Sequence, residues 1–269
     1  MWETAELYET EATKNDVATM LPIMEELLSG NGPELEKELG YFDMSPCKGW
    51  RVVVIDSFDI SSMAGMSDSS VRRDITKKLL QTFNPNFTGE IYEEVLRNPK
   101  SDWKLGLNSY HTRWVPFNGG VGPRQLQWFQ SVIEYSHQNK ERVIVLCHVP
   151  ISPFGTGADD MCLVWNFQPL LRIIHDRPGT VVAVIAGHMH DGGYGFDPAS
   201  LTHHVTLPAP LESEEGQVCF GTMECFEDGS LSMKGAGRMP SFEMPFGRAA
   251  VANHNFTDAS LVESVLPTL

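Results

Sequence analysis

Short apolar runs alternate with amphipathic segments through the middle of the chain. Residues 51–56, 142–148 and 180–187 are rich in Val and Ile, which is typical of strands buried on both faces. Residues 125–133 and 169–174 space their apolar side chains three and four apart, which predicts helices that pack on a sheet. The order strand, helix, strand, helix, strand predicts the α/β class with a parallel sheet.

The two ends of the chain have weaker patterns. Residues 17–28 have the spacing of a helix with one buried face, and glycines follow it at Gly30 and Gly32. Beyond the third buried strand, shorter strands are predicted, the last two of them joined by a turn at Asp228-Gly229. We therefore predict three parts: a helical amino-terminal segment (1–40), a main domain (41–240) and an irregular tail (241–269).

Composition and charge narrow the function classes. The chain has 269 residues, 42% of them hydrophobic and 20% charged, which describes a globular protein rather than a disordered or fibrous one. A formal net charge of −15 disfavours nucleic acid and anionic membranes as partners. No apolar stretch reaches membrane-spanning length, and the five cysteines contain no C-x-x-C pair. We expect reduced thiols and a cytoplasmic location.

Histidines follow two of the predicted buried strands. His148 ends one strand, and His188 and His190 follow another as Gly187-His188-Met189-His190. The carboxyl ends of parallel strands form the functional crevice of α/β sheets, so we expect these three imidazoles to reach a common metal site. Imidazole suits several divalent transition ions, and the spacing alone does not choose among them. The other histidines are expected to be solvated or, for His203-His204, to open a strand.

The histidine motifs belong to a longer ordered series that resembles the calcineurin-like metallophosphoesterases. Within that superfamily, the series is similar to the manganese-dependent ADP-ribose/CDP-alcohol diphosphatase family over about residues 41–240. The matching segments are Asp56-Ser57-Phe58-Asp59-Ile60-Ser61, Phe117-Asn118-Gly119-Gly120, Gln125-Leu126-Gln127-Trp128, Cys162-Leu163-Val164-Trp165-Asn166 and Gly187-His188-Met189-His190-Asp191-Gly192-Gly193-Tyr194.

The resemblance implies a four-layer α/β/β/α sandwich with a two-metal centre that hydrolyses the diphosphate linkage of ADP-ribose, CDP-alcohols or similar nucleotides. It implies that His148 and His188 bind one metal and that His190 binds the other. Manganese is the expected ion, with Mg, Zn and Fe left open. The resemblance also implies a substrate loop at Asn118, Gly119 and Gly120, and a nucleotide pocket shaped by the loop of Cys162.

Three amino-terminal motifs of this family do not occur in the sequence: Asp-x-His or Asp-x-Gln, Gly-Asp-x-x-Asp, and Gly-Asn-His-Glu. Asp56-Ser57-Phe58-Asp59 follows a strand but lacks the preceding glycine, and it matches a later family segment, so we do not assign it as the metal bridge. The segment 29–34 is interpreted as a loop that ends a helix. Three neutral imidazoles cannot balance two divalent ions, so we expect weak binding of one metal at most.

Two functions remain open at this stage. One is a diphosphatase with a small nucleotide substrate and an incomplete metal centre. The other is an inactive remnant that binds a nucleotide or a protein. A sheet that lacks amino-terminal strands would expose an apolar edge, and such an edge offers a protein partner a strand to pair with.

Overall fold

A computed structural model describes residues 16, 18–25, 40–62, 70–87, 103–107, 109–156, 161–247 and 249–250. Its strands are β1 (Phe42–Cys47), β2 (Trp50–Ile55), β3 (Ile60–Ser61), β4 (Gly119–Gly120), β5 (Arg142–Cys147), β6 (Val181–Ala186), β7 (Gly193–Asp197), β8 (Thr202–Thr206), β9 (Cys219–Cys225), β10 (Leu231–Gly237) and β11 (Phe242–Met244). Its longer helices are α1 (Ser70–Phe83), α2 (Pro123–Gln138) and α3 (Phe167–His175), and residues 18–25 are also helical. Short 3-10 turns lie at Ser109–Arg113, Pro153–Gly155 and Pro210–Glu212.

The larger sheet has six strands in the order β1-β2-β5-β6-β8-β7. Its four central strands run parallel, and the edge strands β1 and β7 pair antiparallel with their neighbours. The chain order β2, α2, β5, α3, β6 confirms the predicted alternation of strands and helices. The strongest prediction was β6, because each of its residues is apolar and buried, as expected of a central parallel strand.

Two hydrophobic cores lie on opposite faces of this sheet. On one face, Val53 and Val145 pack against apolar side chains of α2 and α3, such as Phe129 and Leu170. On the other face, a cluster that contains Trp50, Ile144 and Val182 joins Leu231 and Met244 of a second sheet, ordered β11-β10-β9. The described residues therefore form three layers, α/β/β, which confirms the α/β class. The helical layer expected outside the smaller sheet is not among them.

A third cluster supports the loops near the candidate site. Met20 and Met24 of the helical residues 18–25 pack with Leu79 of α1 and with the stacked rings of Trp114 and Trp165. Helix α1 was not predicted from the sequence, and it packs beside the two-stranded sheet of β3 and β4. The rest of the predicted amino-terminal helix and the segment 29–34 lie outside the described residues.

The prediction of an irregular tail from residue 241 was wrong at its start. Phe242–Met244 forms β11, which pairs antiparallel with β10 so that Met244 lies opposite Leu231. Both side chains are buried in the core between the sheets. The segment is only three residues long and lies between Pro240 and Pro245, so its pattern carried no strand signal. The rest of the predicted tail, beyond Ala250, is not described.

None of the helices among the described residues is long and apolar enough to cross a membrane.

Candidate metal centre

The structure brings two of the three predicted metal ligands into direct contact. His148 follows β5, and His188 lies just beyond β6, the neighbouring parallel strand. The Nε2 atom of His148 lies 3.2 Å from the Nδ1 atom of His188. The backbone fixes this juxtaposition, because the amide of Gly187 donates a hydrogen bond to the carbonyl of His148 at 2.9 Å.

The separation of these nitrogens fits two ligands of one ion. Imidazole nitrogens bind Zn²⁺ at about 2.0–2.1 Å, so two of them at tetrahedral or octahedral angles lie roughly 2.8–3.4 Å apart. The observed 3.2 Å between His148 and His188 falls within that interval. The same distance also suits a hydrogen bond between the rings, so the proton on each ring decides which interaction forms.

Asn118 determines which nitrogen of His188 carries the proton. The Nδ2 group of Asn118 donates to the carbonyls of Arg113 at 2.8 Å and Met161 at 2.6 Å, which fixes the orientation of the amide. Its Oδ1 atom then faces Nε2 of His188 at 2.8 Å. An amide oxygen can only accept, so Nε2 of His188 carries a proton, and Nδ1 of the neutral ring keeps its lone pair toward His148.

The environment favours the neutral form of both imidazoles. Burial, followed by the proximity of His148 and His190, lowers the pKa of His188 to about 4. Burial, followed by the proximity of His190, also lowers the pKa of His148. Rings of Phe58 and Phe117 contact His188 and contribute to this exclusion of water. Only a deprotonated nitrogen binds a metal, so these shifts favour ligation near neutral pH.

The backbone at His188 is in an unusual conformation. Its φ of 69° lies in the left-handed region, which non-glycine residues adopt at a cost of order 1 kcal/mol or more. Gly192, four residues later, has a φ of 78° and allows the chain to turn back into β7. A side chain held in this region beside another imidazole is the kind of local strain that occurs at functional sites.

His190 lies close to the pair but faces elsewhere. Its Nδ1 atom is 2.8 Å from Oε1 of Glu212, and both side chains are about half exposed. His190 nevertheless lies near enough for its charge to affect the pKa of both His148 and His188. The resemblance implied that His190 binds a second metal. That role stays a prediction, and Glu212 is a neighbour that sequence reasoning missed.

The predicted substrate loop is part of the protein interior. Gly119 and Gly120 form the buried strand β4, which pairs with Ile60 and Ser61 of β3. A Cβ atom on Gly119 would lie 2.3 Å from the carbonyl oxygen of Ser57, so this backbone approach requires glycine. The two glycines therefore have a structural role in positioning Asn118. A direct role in substrate binding stays a prediction.

Cys162 lies in the loop that Asn118 tethers through the carbonyl of Met161. Its side chain is buried, and its thiol is not in a disulfide. The amide of Asn118 therefore connects His188 to the loop of Cys162, which was predicted to shape the nucleotide pocket. That predicted role of Cys162 is not tested by the structure.

The carboxylates of the Asp56-Ser57-Phe58-Asp59 segment accept hydrogen bonds from the turn itself and from the start of α2. Oδ1 of Asp56 accepts from the amide of Phe58, and Oδ2 of Asp59 accepts from the amide of Gly122 and the side chain of Gln125. That the segment is not the metal bridge stays a prediction. Within the part of the chain that the structure describes, no group of three or more His, Cys, Asp or Glu side chains could hold a metal ion.

The residues present therefore fit part of one metal site. His148 and His188 supply two neutral nitrogens at the correct separation, and the described residues supply no carboxylate to complete the coordination. Carboxylates normally add both charge and affinity to sites for divalent ions. The expectation that a single ion binds weakly stays a prediction.

Three other histidines within the described residues are less exposed than their positions in the sequence suggested, and His254 lies outside those residues. His175 on α3 was expected to be solvated, but its Nε2 atom lies 2.6 Å from the buried carboxylate of Asp197. His203 and His204 are both buried in β8. A contact between α3 and the end of β7 could not be inferred from the spacing of these residues along the chain.

The chain is similar in sequence to curated proteins named manganese-dependent ADP-ribose/CDP-alcohol diphosphatase. The protein from Xenopus tropicalis is 36% identical over 209 residues, which cover 78% of this chain and 55% of the relative. The protein from Arabidopsis thaliana is 37% identical over 201 residues, which cover 75% of this chain and 59% of the relative. This chain thus spans about half the length of the curated relatives it matches.

A solved structure has a similar fold. The crystal structure of a dimetal phosphatase from Danio rerio superimposes with a TM-score of 0.66 at 28% sequence identity, covering 83% of this chain and 68% of that one. No protein-family model matches the chain.

Proposed function

Over about three quarters of its length this chain is a homologue of the manganese-dependent ADP-ribose/CDP-alcohol diphosphatases, and from this we propose that it is a metal-dependent hydrolase. Its substrates would be small nucleotides with a diphosphate linkage, such as ADP-ribose or a CDP-alcohol. Its cofactor would be a divalent ion, with manganese as the first choice.

The observation that carries this proposal is the contact between His148 and His188 at the ends of adjacent parallel strands. A divalent ion bound there would supply charge to phosphoryl oxygens and an activated water. The two imidazoles would hold the ion, and Asn118 would fix the tautomer that exposes Nδ1 of His188. The sequence contains no Gly-x-Ser-x-Gly nucleophile motif, and attack by water requires none.

Hydrolysis and metal binding together test the proposal. Purified chain is incubated with Mn²⁺ and either ADP-ribose or a CDP-alcohol, and release of nucleoside monophosphate is followed by chromatography. We expect release that depends on Mn²⁺ and is lost in His188→Ala. The matched control is His137→Ala. His137 lies at the end of α2, and its imidazole contacts Thr180. Absence of release at saturating Mn²⁺, with unchanged Mn²⁺ affinity in His188→Ala, would overturn the proposal.

A second candidate is a non-catalytic binding module. It is favoured by the lack of a metal-binding group of three or more side chains among the described residues. It is also favoured by exposed apolar residues on the edge strands β1 and β9, including Phe42, Met44 and Phe220. This module would bind a nucleotide in EDTA without hydrolysing it, or would pair with a protein partner through an exposed edge.

We propose a cytoplasmic location for either function. None of the five cysteines, all of which lie within the described residues, forms a disulfide, which suits a reducing compartment. The net charge of −15 supports a small-molecule partner rather than nucleic acid or an anionic membrane.

A further inference from the structure

A cavity of about 710 Å³ opens between the two sheets beside the candidate metal centre. One wall is formed by β7 and β8 and the residues that flank them, and the other by the segment from Arg238 to Pro245. The residues implied to bind the nucleotide, Asn118 and Cys162 among them, do not line it. The cavity is therefore distinct from the predicted nucleotide pocket.

A short chain of hydrogen bonds connects the cavity to the histidine motif. The amide of Ala209 donates to the carbonyl of His190 at 2.9 Å, and the carbonyl of Ala209 accepts from Nη1 of Arg238 at 2.7 Å. Asp191, the residue after His190, lines the cavity together with Gly192 and Gly193. The cavity and the histidine motif are therefore neighbours in the fold, joined through Ala209 and Asp191.

The aromatic side of the cavity is held in place by hydrogen bonds. The carbonyl of Pro245 accepts from Nε2 of His203 at 2.7 Å, so Nδ1 of the neutral ring is an acceptor. The hydroxyl of Tyr194 donates to that Nδ1 at 2.8 Å. The Tyr194 ring is 44% exposed, and its centroid lies 6.0 Å from that of Phe242. Two aromatic faces are thus presented in a fixed orientation.

The charged groups of the lining indicate what such a ligand contains. Arg238 has five N–H donors in a planar fork that suits phosphate, and Ala209 accepts from one of its nitrogens. Asp191 lies 3.6 Å from Arg238, and its side chain is 96% exposed. Glu243 is exposed and accepts from Ser232 at 2.7 Å. The Arg238 guanidinium can bind one phosphate, whereas the two carboxylates accept from hydroxyl groups and repel a second phosphate.

We propose that this cavity binds the non-nucleotide half of the substrate, a phosphorylated sugar or polyol. Arg238 contacts its phosphate, and the carboxylates of Glu243 and Asp191 accept from its hydroxyls. The faces of Tyr194 and Phe242 pack against its carbon skeleton. The assignment of this group as half of a substrate rests on the proposed diphosphatase function, whereas the binding itself does not.

Calorimetry in the presence of EDTA measures ligand binding to the cavity without bound metal and without hydrolysis. The probes are ribose 5-phosphate and inorganic phosphate. We expect ribose 5-phosphate to bind the wild-type chain at least 10-fold more tightly than phosphate, and Arg238→Ala to weaken that binding at least 10-fold. Arg177→Ala is the matched control, because Arg177 contacts Glu134 and does not line this cavity.

A second variant tests the site independently, in case Arg238→Ala does not fold. Glu243→Gln keeps the side-chain shape and is expected to weaken binding of ribose 5-phosphate several-fold while leaving binding of phosphate unchanged. Equal affinity for the two probes, or unchanged binding in both variants, would overturn the proposal. Binding of ribose 5-phosphate by a chain that fails to hydrolyse any diphosphate would support the site and contradict the diphosphatase function alone.

Discussion

The buried amide of Asn118 and the ring of His188 are joined at 2.8 Å, although the two residues are 70 positions apart in the sequence. The contact determines which nitrogen of His188 is available to a metal. It also changes the meaning of the Phe-Asn-Gly-Gly motif, because the asparagine reaches a predicted metal ligand while the glycines pack inside the fold.

The first prediction concerns the acceptor that Asn118 presents to His188. Asn118→Leu and Asn118→Asp both remove the Nδ2 donor, but only Asn118→Leu removes the oxygen. We expect Asn118→Leu to weaken Mn²⁺ binding about 10- to 100-fold relative to Asn118→Asp, as is typical when a group that orients a metal ligand is lost. Titration of both folded variants with Mn²⁺ measures the difference. Equal affinities would show that the oxygen has no influence on His188.

The second prediction concerns Gly119, whose predicted role was substrate binding. A Cβ atom there would lie 2.3 Å from the carbonyl of Ser57, so we expect Gly119→Ala to lower the free energy of unfolding by more than about 2 kcal/mol. Gly49→Ala is the control, since its Cβ has nothing within 4 Å and the cost is limited to its φ of 83°, about 1 kcal/mol. Urea unfolding compares the two, and similar losses would argue against the close approach.

The third prediction concerns the pH dependence of stability. His204 is buried, and neither ring nitrogen has a hydrogen-bond partner within the described residues. Burial lowers its pKa from 6.5 to about 4, so between these values the unfolded chain binds a proton that the folded chain does not. The free energy of unfolding therefore falls as the pH drops through this interval, by up to about 3 kcal/mol from this group.

His204→Leu tests that linkage. An apolar side chain has no unpaired nitrogens to bury, so we expect the variant to be at least as stable as the wild type at pH 7 and to lose less stability between pH 6.5 and 4. Thermal unfolding at a series of pH values measures both effects. An identical pH dependence in the two proteins would contradict the assignment.

The fourth prediction concerns the exposed edge of the smaller sheet. Strand β9 is an edge strand whose Phe220 is 60% exposed, and such an edge can pair with another chain. We expect Phe220→Glu to reduce self-association, measured by sedimentation velocity as a function of concentration. Leu105→Glu is the control, because Leu105 is equally apolar and exposed but is not part of either sheet edge. The same change in both variants would point to net charge rather than the edge.

The buried strands and the helices between them could be predicted because their own sequences identify them. The six apolar residues of β6 allow little besides a central strand, and α2 has an apolar face with Pro123 in its first turn. Helix α1 also has apolar side chains four residues apart, at Ile75, Leu79 and Phe83, a signal that the sequence analysis missed, whereas strand β11 has none. Strand β11 is three residues long, and it adopts strand geometry because it pairs with β10.

The sequence by itself determined the α/β class, the strand–helix alternation and the positions of His148, His188 and His190 after their strands. The tertiary structure decided how those side chains face one another, because contacts between distant segments set side-chain direction. Packing joined Asn118 to His188, turned His190 toward Glu212, and brought Arg238 beside Tyr194. No periodicity along the chain encodes these pairings, since each depends on how separate strands and loops pack in three dimensions.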